Sequence, residues 1–386
     1  MSSVDVAIIG AGVIGASVAY HLAQRGCKHI LVIDPGAQPG HGSTGRATGG
    51  FRAQFSSEIN IRLSLLSRDK LRRFRDEIGV DSGYRPCGYL FLARQQATLD
   101  ALRAAQALQH ATGLDEAREV APDEIARLNP AIKTDDLIGG VFCPTDGFIR
   151  PLELLRGYLD RARQLGVEVR YNTPCTGFEM RGERIAAVRT PTATIAVERV
   201  VNAAGAWAAL VADYAGVELP VSPLRRQVAI TEPCALLPEH MPMTIFTDDG
   251  FHLRVRDGRI LLLWPDQPIV DDRFDTSISD EWLAEVTRRA HSCVPCLTQA
   301  SIDRQSCWGG LYEMSPDKHA LLGAAPSVEN FYLANGSSGH GVMHAPALGH
   351  LLSEIMLDGH TTTLDTHALR PSRFAELQLN AVSELL

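Results

Sequence analysis

The 386-residue chain lacks the features that mark membrane, nucleic-acid-binding and secreted proteins. No apolar run approaches the length that crosses a bilayer, so we expect no membrane span. The net charge of −8 argues against a general nucleic-acid binder. The first strand starts almost at the N-terminus, which leaves no room for a secretory signal peptide. The eight cysteines are scattered in mostly apolar surroundings, so we expect reduced thiols in a cytoplasmic protein.

Repeats, low-complexity tracts and long Pro/Gly/Ser-rich linkers are also absent, so domain boundaries must be inferred from changes of pattern. Cys293 and Cys296 have CxxC spacing, but no second pair or histidine cluster accompanies them, and no metal site is predicted. What is present is an ordinary globular composition, 45% hydrophobic and 21% charged. A chain of 386 residues is too long for one simple core, so we expect two domains.

The most informative stretch is a βαβ unit near the N-terminus. A buried strand, Val6–Ile9, leads into Gly10, Gly12 and Gly15, which have the Gly-x-Gly-x-x-Gly spacing, and then into a helix and a second strand. The glycines allow a tight turn and close backbone approach, and the helix N-terminus favours a pyrophosphate. Asp34 follows at about the 20-residue distance at which a carboxylate binds the ribose hydroxyls. The unit predicts a bound dinucleotide, without distinguishing FAD from NAD.

A second glycine-rich loop lies far downstream. Residues 336–341 leave a strand and open a helix, so their N–H groups form a positive nest. Taken alone, this loop is best explained as an ordinary helix start. The first loop already serves the pyrophosphate, however, and a second anion site suits the reduced flavin ring, which gains negative charge at N1/C2=O. The pair of loops therefore favours FAD.

The order of patterns predicts the architecture. Segments of α/β character occur near both ends and in the middle, and two β-rich stretches lie between them. We predict an α/β fold with a Rossmann-type FAD-binding domain built from discontinuous segments, plus an α+β substrate domain with an antiparallel sheet. The predicted FAD domain comprises residues 1–84, 145–219 and 309–386, and the substrate domain comprises residues 85–144 and 220–308.

Four blocks in this order resemble the D-amino-acid oxidase (DAO) superfamily of FAD-dependent oxidoreductases, and the likeness extends over essentially the whole chain. The blocks are residues 8–34, 43–52, 200–207 and 308–341. Within the superfamily, the Trp-Gly-Gly-Leu-Tyr-Glu-Met-Ser-Pro-Asp and Gly-His-Gly-Val-Met stretches of the last block resemble the branch of sarcosine oxidases and proline dehydrogenase β subunits. The resemblance implies FAD and oxidation of the C–N bond of a secondary amine or amino acid. It implies hydride transfer to flavin N5, which gives an imine that hydrolyses.

The resemblance also implies roles for individual residues. Arg52 would hold the substrate carboxylate, with a surface salt bridge as its alternative. Tyr312 would lie over the flavin face, with a core position as its alternative. His252 would tune or orient the amine, and His340 would lie beside the flavin in a catalytic or structural role. The implied FAD-binding residues are Gly10, Gly12, Val13, Ile14, Gly15, Asp34, Pro35, Ser43, Thr44, Gly45, Val169, Ala204, Gly205, Trp207, Gly310, Gly339, His340, Gly341, Val342 and Met343.

Several positions depart from the family pattern. Gly310 occupies the place of the covalent-flavin cysteine of monomeric sarcosine oxidases, which predicts non-covalent FAD. Met343 replaces the second carboxylate-binding lysine. No lysine occurs in residues 259–264, where the family places the one that promotes oxygen reactivity, and this favours a dehydrogenase. Tyr312 and Glu313 stand where glycine oxidases have an arginine, which argues against a glycine oxidase.

Other functions stay open at this point. A 2-hydroxy-acid or polyol oxidoreductase on the same fold would need a base beside the hydroxyl, for which His252 and His340 are the candidates. A flavoprotein subunit or assembly factor that acts only with partners is a third class, and a colourless NAD dehydrogenase is a fourth. The expected partners are a small amine or amino-acid substrate and, as electron acceptor, O₂ or an electron carrier. The branch also includes hetero-oligomers with an α-type subunit.

Overall fold

Two eight-stranded sheets organise the chain. The computed structural model describes residues 3–265 and 272–382. In chain order the strands are β1 (Ser3–Ile9), β2 (Ile30–Ile33), β3 (Gly50–Phe51), β4 (Tyr89–Ala93), β5 (Arg118–Val120), β6 (Gly139–Cys143), β7 (Gly147–Phe148), β8 (Glu168–Arg170), β9 (Gly177–Arg181), β10 (Arg184–Arg189), β11 (Thr194–Asn202), β12 (Ser222–Ile230), β13 (Met243–Phe246), β14 (Phe251–Arg256), β15 (Arg259–Leu263), β16 (Trp308–Met314), β17 (Leu321–Ala324) and β18 (Phe331–Asn335). The α-helices are α1 (Val13–Gln24), α2 (Ser43–Arg46), α3 (Glu58–Arg72), α4 (Phe74–Ile78), α5 (Gln96–Ala111), α6 (Pro122–Leu128), α7 (Pro151–Gln164), α8 (Ala208–Asp213), α9 (Asp280–Cys293) and α10 (Gly341–Asp358).

The first sheet has a parallel core. Its central order is β17-β18-β11-β1-β2-β8, and each neighbouring pair from β18 to β8 is parallel. Every residue of β2 is buried, because α1, α3, α7 and α10 cover one face of this sheet while β9, β10 and α8 cover the other. Parallel strands buried on both faces need continuous apolar sequence, and β1 and β2 have it. This is the predicted Rossmann-type arrangement.

The second sheet has the order β16-β12-β15-β14-β13-β4-β6-β5 and is antiparallel except for the β13–β4 pair. Alternation along β14 separates its two faces. Phe251, Leu253 and Val255 point to the core under α9, which contributes Trp282 and Val286. The residues between them, among them His252, therefore point to the opposite face, which carries the pocket described below.

The structure differs from the sequence-based expectations in places where local patterns carry no signal. The apolar spacing of residues 57–78 predicts one amphipathic helix, but the structure divides it at Arg73 into α3 and α4, with Leu71 and Phe74 buried on either side. The pattern predicts a hairpin strand at residues 193–197 and, from residue 199, a separate buried strand that leads into a glycine turn, but the structure joins the two strands into one, β11. The boundary predicted at residue 309 falls within β16, which belongs to the second sheet; the division into domains stays a prediction. None of the helices in the two described ranges is both long and apolar enough to cross a membrane.

Candidate functional site

The first glycine loop brings three backbone segments closer together than side chains would allow. Gly10 has a φ of +109°, and a Cβ added there would lie 2.4 Å from the carbonyl oxygen of Ala203. A Cβ on Gly15 would lie 2.0 Å from the carbonyl oxygen of Gly10, so α1 can pack against β1 only with glycine here. A Cβ on Gly12 would meet only Thr44 Oγ1, at 3.4 Å. The missing side chain of Gly12 therefore leaves space above the N-terminus of α1.

Polar contacts fix the acidic residue and the helix start around this space. Asp34 follows β2, and its carboxylate accepts the N–H groups of Ala11 and Gly36, each at 2.7 Å. Thr44 Oγ1 accepts the N–H of Val13, the first residue of α1, at 3.1 Å. A carboxylate and a helix N-terminus thus meet at the carboxyl end of a parallel sheet, where α/β proteins bind nucleotides.

The second glycine loop contacts both the first loop and the pocket. At Gly341, where α10 begins, an added Cβ would lie 3.4 Å from Cδ1 of Ile14 on α1. Gly339 has a φ of +91°, and a Cβ added there would lie 2.4 Å from Cε2 of Tyr312. The two loops, which are far apart in the sequence, therefore border one continuous site.

Buried polar atoms without a protein partner cluster beside this second loop. Oε2 of Glu313, both amide atoms of Asn335 and Oγ of Ser337 are buried and lack a hydrogen-bond partner within the distance limit among the described residues. Burial raises the pKa of Glu313 to about 7, although the Ser337 side chain and the N–H groups of Ser337 and Gly336 oppose the rise. Buried polar groups almost always have partners, so these atoms fit a bound polar group. With the space above α1, they fit FAD, whose nucleotide end would lie at the first loop and whose flavin end would lie at the second.

One face of the second sheet forms a wall of the pocket at the flavin end. Five of its residues are register neighbours in a row across β4, β13, β14, β15 and β12: Phe91, Ile245, His252, Leu263 and Val228. Arg226 and Tyr312 share this face, because strand side chains alternate and Arg226 lies two residues before Val228. The row of five is apolar apart from His252, and Arg226, Tyr312 and Arg254, which lies two residues after His252 on β14, add polar groups to the same face.

Arg52 lies beside Phe91, at the β4 end of this wall. It is only 4% exposed, and its guanidinium carbon lies 4.3 Å from the ring centroid of Phe55 and 5.6 Å from that of Phe91. One guanidinium nitrogen donates to the Gln54 carbonyl at 3.2 Å, and another lies 3.2 Å from Nε2 of His340. The surface salt bridge considered from the sequence is therefore wrong for Arg52, which is buried and set among aromatic rings.

The histidines of the pocket are neutral. Arginine can only donate, so Nε2 of His340 accepts from Arg52 and the proton resides on Nδ1. Burial and the charge of Arg52 hold the pKa of His340 well below its ordinary value. Burial lowers the pKa of His252 to about 4, and repulsion by Arg52 and Arg226 adds to the effect. His252 Nδ1 lies 2.8 Å from the Gly250 carbonyl, so that nitrogen is the donor and Nε2 is left as an acceptor.

Two residues of this site were not found from the sequence. Asp146 is fully buried, and its carboxylate accepts the N–H of Ala53 at 2.7 Å and the side-chain amide of Gln54 at 3.0 Å, so it holds the segment that follows Arg52. Arg226 lies on the pocket face of β12, 6.0 Å from the ring centroid of Tyr312. Alternation along a strand places Arg226 and its sequence neighbours on opposite faces of the sheet. The sequence does not show which of these faces borders the pocket.

The remaining predicted cofactor residues lie around the two loops. The Ser43 hydroxyl donates to the Leu311 carbonyl at 2.8 Å, which joins α2 to β16. A Cβ on Gly45 would lie 2.1 Å from the carbonyl oxygen of Gly40. Val169 on β8 pairs with Val32 on β2, the strand that Asp34 and Pro35 follow. Ala204 and Gly205 follow β11 beside Gly10. These positions border the nucleotide end, and their contacts with FAD stay predictions.

Four other predicted cofactor-binding positions are more crowded or lie farther from the two glycine loops. A Cβ on Gly310 would lie 3.2 Å from Cβ of Arg46. Met343 is buried in the core beneath α10, beside the partly buried Val342. Trp207 is 41% exposed and stacks on Phe274 at a centroid distance of 5.7 Å, so it lies at the rim of the site.

Comparisons with known proteins agree with this geometry. A family model described as DAO, FAD dependent oxidoreductase, matches residues 5–355. Mitochondrial dimethylglycine dehydrogenase of Rattus norvegicus is 28% identical over 393 residues, which cover 96% of this chain and 45% of that protein. FAD-dependent oxidoreductase domain-containing protein 1 of Bos taurus is 29% identical over 416 residues, which cover 96% of this chain and 84% of that protein. The chain thus spans less than half the length of the dimethylglycine dehydrogenases that it matches.

A solved structure, that of L-proline dehydrogenase from P. horikoshii, superposes with a TM-score of 0.91 at 28% identity. The superposition covers 98% of this chain and 100% of the other. The predicted fold class and the predicted cofactor, FAD, are confirmed.

Proposed function

We propose that this chain, which belongs to the DAO family of FAD-dependent oxidoreductases, oxidises the C–N bond of a secondary amine or amino acid that carries a carboxylate. The observation that carries the proposal is the buried guanidinium of Arg52, set between aromatic rings and a neutral histidine at the flavin end of the site. A planar guanidinium pairs with a carboxylate through two hydrogen bonds, and a site with little water strengthens that pairing.

The chain's own residues bind the substrate and control its protonation. Arg52 holds the carboxylate, while Phe55, Phe91 and Leu263 surround the amine with apolar surface. Desolvation of this kind lowers the pKa of an amine, and a neutral amine is the form that can release a hydride from the adjacent carbon. A bound FAD supplies the two-electron acceptor for that hydride. The imine product then hydrolyses in water.

His252 and Tyr312 orient the amine. Nε2 of His252 can accept the amine N–H, but a histidine with a pKa of about 4 is a poor general base near neutral pH. Burial raises the pKa of Tyr312, so its hydroxyl stays protonated and can donate a hydrogen bond. A 2-hydroxy-acid oxidoreductase needs a base beside the hydroxyl, and the lowered pKa values of His252 and His340 argue against that alternative.

We further infer non-covalent FAD and an electron carrier rather than O₂ as the acceptor. Gly310 offers no thiol, and the pocket side of β15 presents Leu261 and Leu263 rather than a lysine. An α-type partner subunit that receives the electrons fits this proposal. The free cysteines among the described residues favour the reducing cytoplasm.

Anaerobic titration of the purified holoenzyme tests the proposed function. N-methyl amino acids, proline derivatives and D-amino acids are added, and we expect at least one class to bleach the flavin absorbance. Acid precipitation of the same sample should leave FAD in the supernatant. A protein that no amine bleaches, while a 2-hydroxy acid does, would refute amine oxidation and support the alternative. A yellow protein that no substrate of either class bleaches would support a role as a subunit or assembly factor.

A further inference from the structure

Glu313 is a buried acid that the proposed mechanism does not use. It follows Tyr312 on β16, so the two side chains point to opposite faces of the strand, and only 9% of the Glu313 surface is exposed. Its Oε2 is buried and has no hydrogen-bond partner at normal distance among residues 3–265 and 272–382. Acids are rarely buried, and buried oxygens are rarely left without a partner, so this carboxyl group is unusual on both counts.

The second glycine loop binds this carboxyl group. Oε1 of Glu313 accepts the N–H of Ser337 at 3.3 Å, and the backbone carbonyl of Glu313 accepts the N–H of Ser338 at 3.0 Å. Burial raises the pKa of Glu313 to about 7, and the Ser337 side chain and the N–H groups of Ser337 and Gly336 limit the rise. The N–H groups of a nest stabilise negative charge, so a loop that borders the flavin end of the site also serves an acid of the protein.

Loop hydrogen bonds, rather than a paired charge, stabilise the ionised form of Glu313. Two elements pack beside it: the segment after β16, where Ser315 contacts Ser338 of the loop, and the neighbouring strand β12. The titratable groups on these elements and on the loop are Arg225, which pairs with Asp275; Asp317, which pairs with Arg373; His319, which contacts Ser57; His340, which contacts Arg52; and Tyr312 and Lys318. The ion pairs in this list do not include Glu313, so its charge state responds to other negative charge at the loop.

Reduction of the flavin adds such a charge. The reduced ring becomes negative at N1/C2=O, for which this loop is the predicted anion site. Two anions that share one set of N–H groups in a buried site repel each other, so the pKa of Glu313 should rise when the flavin is reduced. That pKa is already about 7 before reduction, so a further rise makes the carboxylate bind a proton at neutral pH.

We propose that Glu313 is a proton-binding site linked to the flavin, which takes up one proton from water when the flavin is reduced and releases it when the flavin is reoxidised. The inference rests on the proposed flavin chemistry and adds a proton site to it. The substrate gives up a hydride, which carries both electrons, and a separate proton neutralises the Glu313 carboxylate. When the electron acceptor removes the two electrons, the hydrogen from the substrate and the proton on Glu313 both return to water.

Spectroelectrochemical titration of the holoenzyme between pH 6 and 9 tests this inference without any substrate. Each proton that accompanies two electrons changes the equilibrium tenfold per pH unit, which lowers the midpoint potential by about 30 mV per pH unit. Below pH 7, where Glu313 is already protonated, we expect this slope, and above pH 7 we expect about 59 mV per pH unit, the value for two protons. A wild-type slope of about 30 mV at every pH would overturn the inference and leave amine oxidation standing.

Substitution of Glu313 separates the proton site from a structural role. Glu313→Gln should keep a slope of about 30 mV per pH unit throughout, and its potential should exceed that of wild type above pH 7, because no carboxylate opposes the flavin charge. Glu329→Gln is the matched control, since Glu329 is an exposed acid that precedes β18 and pairs with Arg184, and it should keep the wild-type change of slope.

Two further outcomes are distinct. A structural role would shift the potential of Glu313→Gln equally at every pH and leave the change of slope in place, which would overturn the inference. If the wild-type slope changes as expected while no amine bleaches the flavin, the proposed function fails and the proton site stands.

Discussion

At the scale of single residues, the segment that follows Arg52 is held by a buried carboxylate, that of Asp146. Asp146 receives the backbone N–H groups of Ala53 and Gln54 and the Gln54 side chain, and Gln54 in turn donates to the Tyr89 carbonyl. Burial raises the pKa of Asp146 to about 6, and these donors and Arg52 limit the rise. Asp146 is thus a positioning residue whose charge state changes in a range accessible to assays.

We expect Asp146→Asn to raise KM for a carboxylate substrate roughly 10-fold with a smaller change in kcat, because one of its two acceptor oxygens becomes a donor that faces Gln54. The pKa of about 6 sets the sign of a pH effect. In the wild type, Asp146 loses acceptor capacity as pH falls below 6, so KM should rise there, and the variant should lack this component. Steady-state kinetics between pH 5 and 8 measure both. Parallel KM profiles for the two proteins would contradict a positioning role.

The two neighbouring arginines of β12 show what the sequence can and cannot predict at this scale. The pattern of residues 226–231 predicts a strand, and the structure has one there, β12, which begins at Ser222. Which of Arg225 and Arg226 faces the pocket depends on pairing with β16, whose residues lie far along the chain. Local pattern carries no information on that register, so Arg226 could not be assigned to the site beforehand.

At the scale of elements, the second glycine loop is held by a contact that only glycine permits. Gly339 combines a positive φ of +91° with a backbone position against the ring of Tyr312. The position of Gly339 in the loop predicts that it binds the cofactor. Its contact with Tyr312 was not predicted, because no local pattern indicates the strand β16. The βαβ unit, which has a complete local signature, is present at the predicted place as β1, α1 and β2.

Gly339→Ala should displace the Tyr312 ring or the loop, and we expect weaker FAD binding and a loss of about 2 kcal/mol or more of unfolding free energy. Gly26→Ala is the matched control, because Gly26 has a φ of +90° and nothing within 4 Å of an added Cβ. The control should cost about 1 kcal/mol from backbone strain alone and leave FAD binding intact. Urea unfolding and flavin fluorescence compare the two. Equal losses of unfolding free energy in the two variants would mean that the close approach of Gly339 to Tyr312 contributes nothing to stability.

At the scale of the whole molecule, the FAD site joins the beginning of the chain to its end. The first loop follows β1, the second opens α10, and the two lie so close that a Cβ on Gly341 would be 3.4 Å from Cδ1 of Ile14. The sequence predicted that the two glycine loops lie close together, because the first was assigned to the pyrophosphate and the second to the flavin of the same FAD. The composition of the pocket was not predictable in the same way, since its wall is assembled from six strands of the second sheet.

Gly12→Val tests whether the space above α1 is a binding site rather than a packing requirement. Gly12 has an ordinary φ of −71°, and an added Cβ would meet only Thr44 Oγ1, so the unliganded protein should keep close to wild-type stability. The valine side chain would nonetheless fill the region that a pyrophosphate would occupy.

A ligand that binds only the folded state stabilises it by RT ln(1 + [L]/Kd), so FAD at 100 times its Kd should add about 2.7 kcal/mol to the unfolding free energy of the wild type and far less to that of the variant. Thermal unfolding with and without added FAD measures the difference. An equal FAD-dependent rise of Tm in both proteins would place the cofactor elsewhere, whereas an unliganded variant that unfolds well below wild type would make Gly12 a packing residue like Gly10 and Gly15.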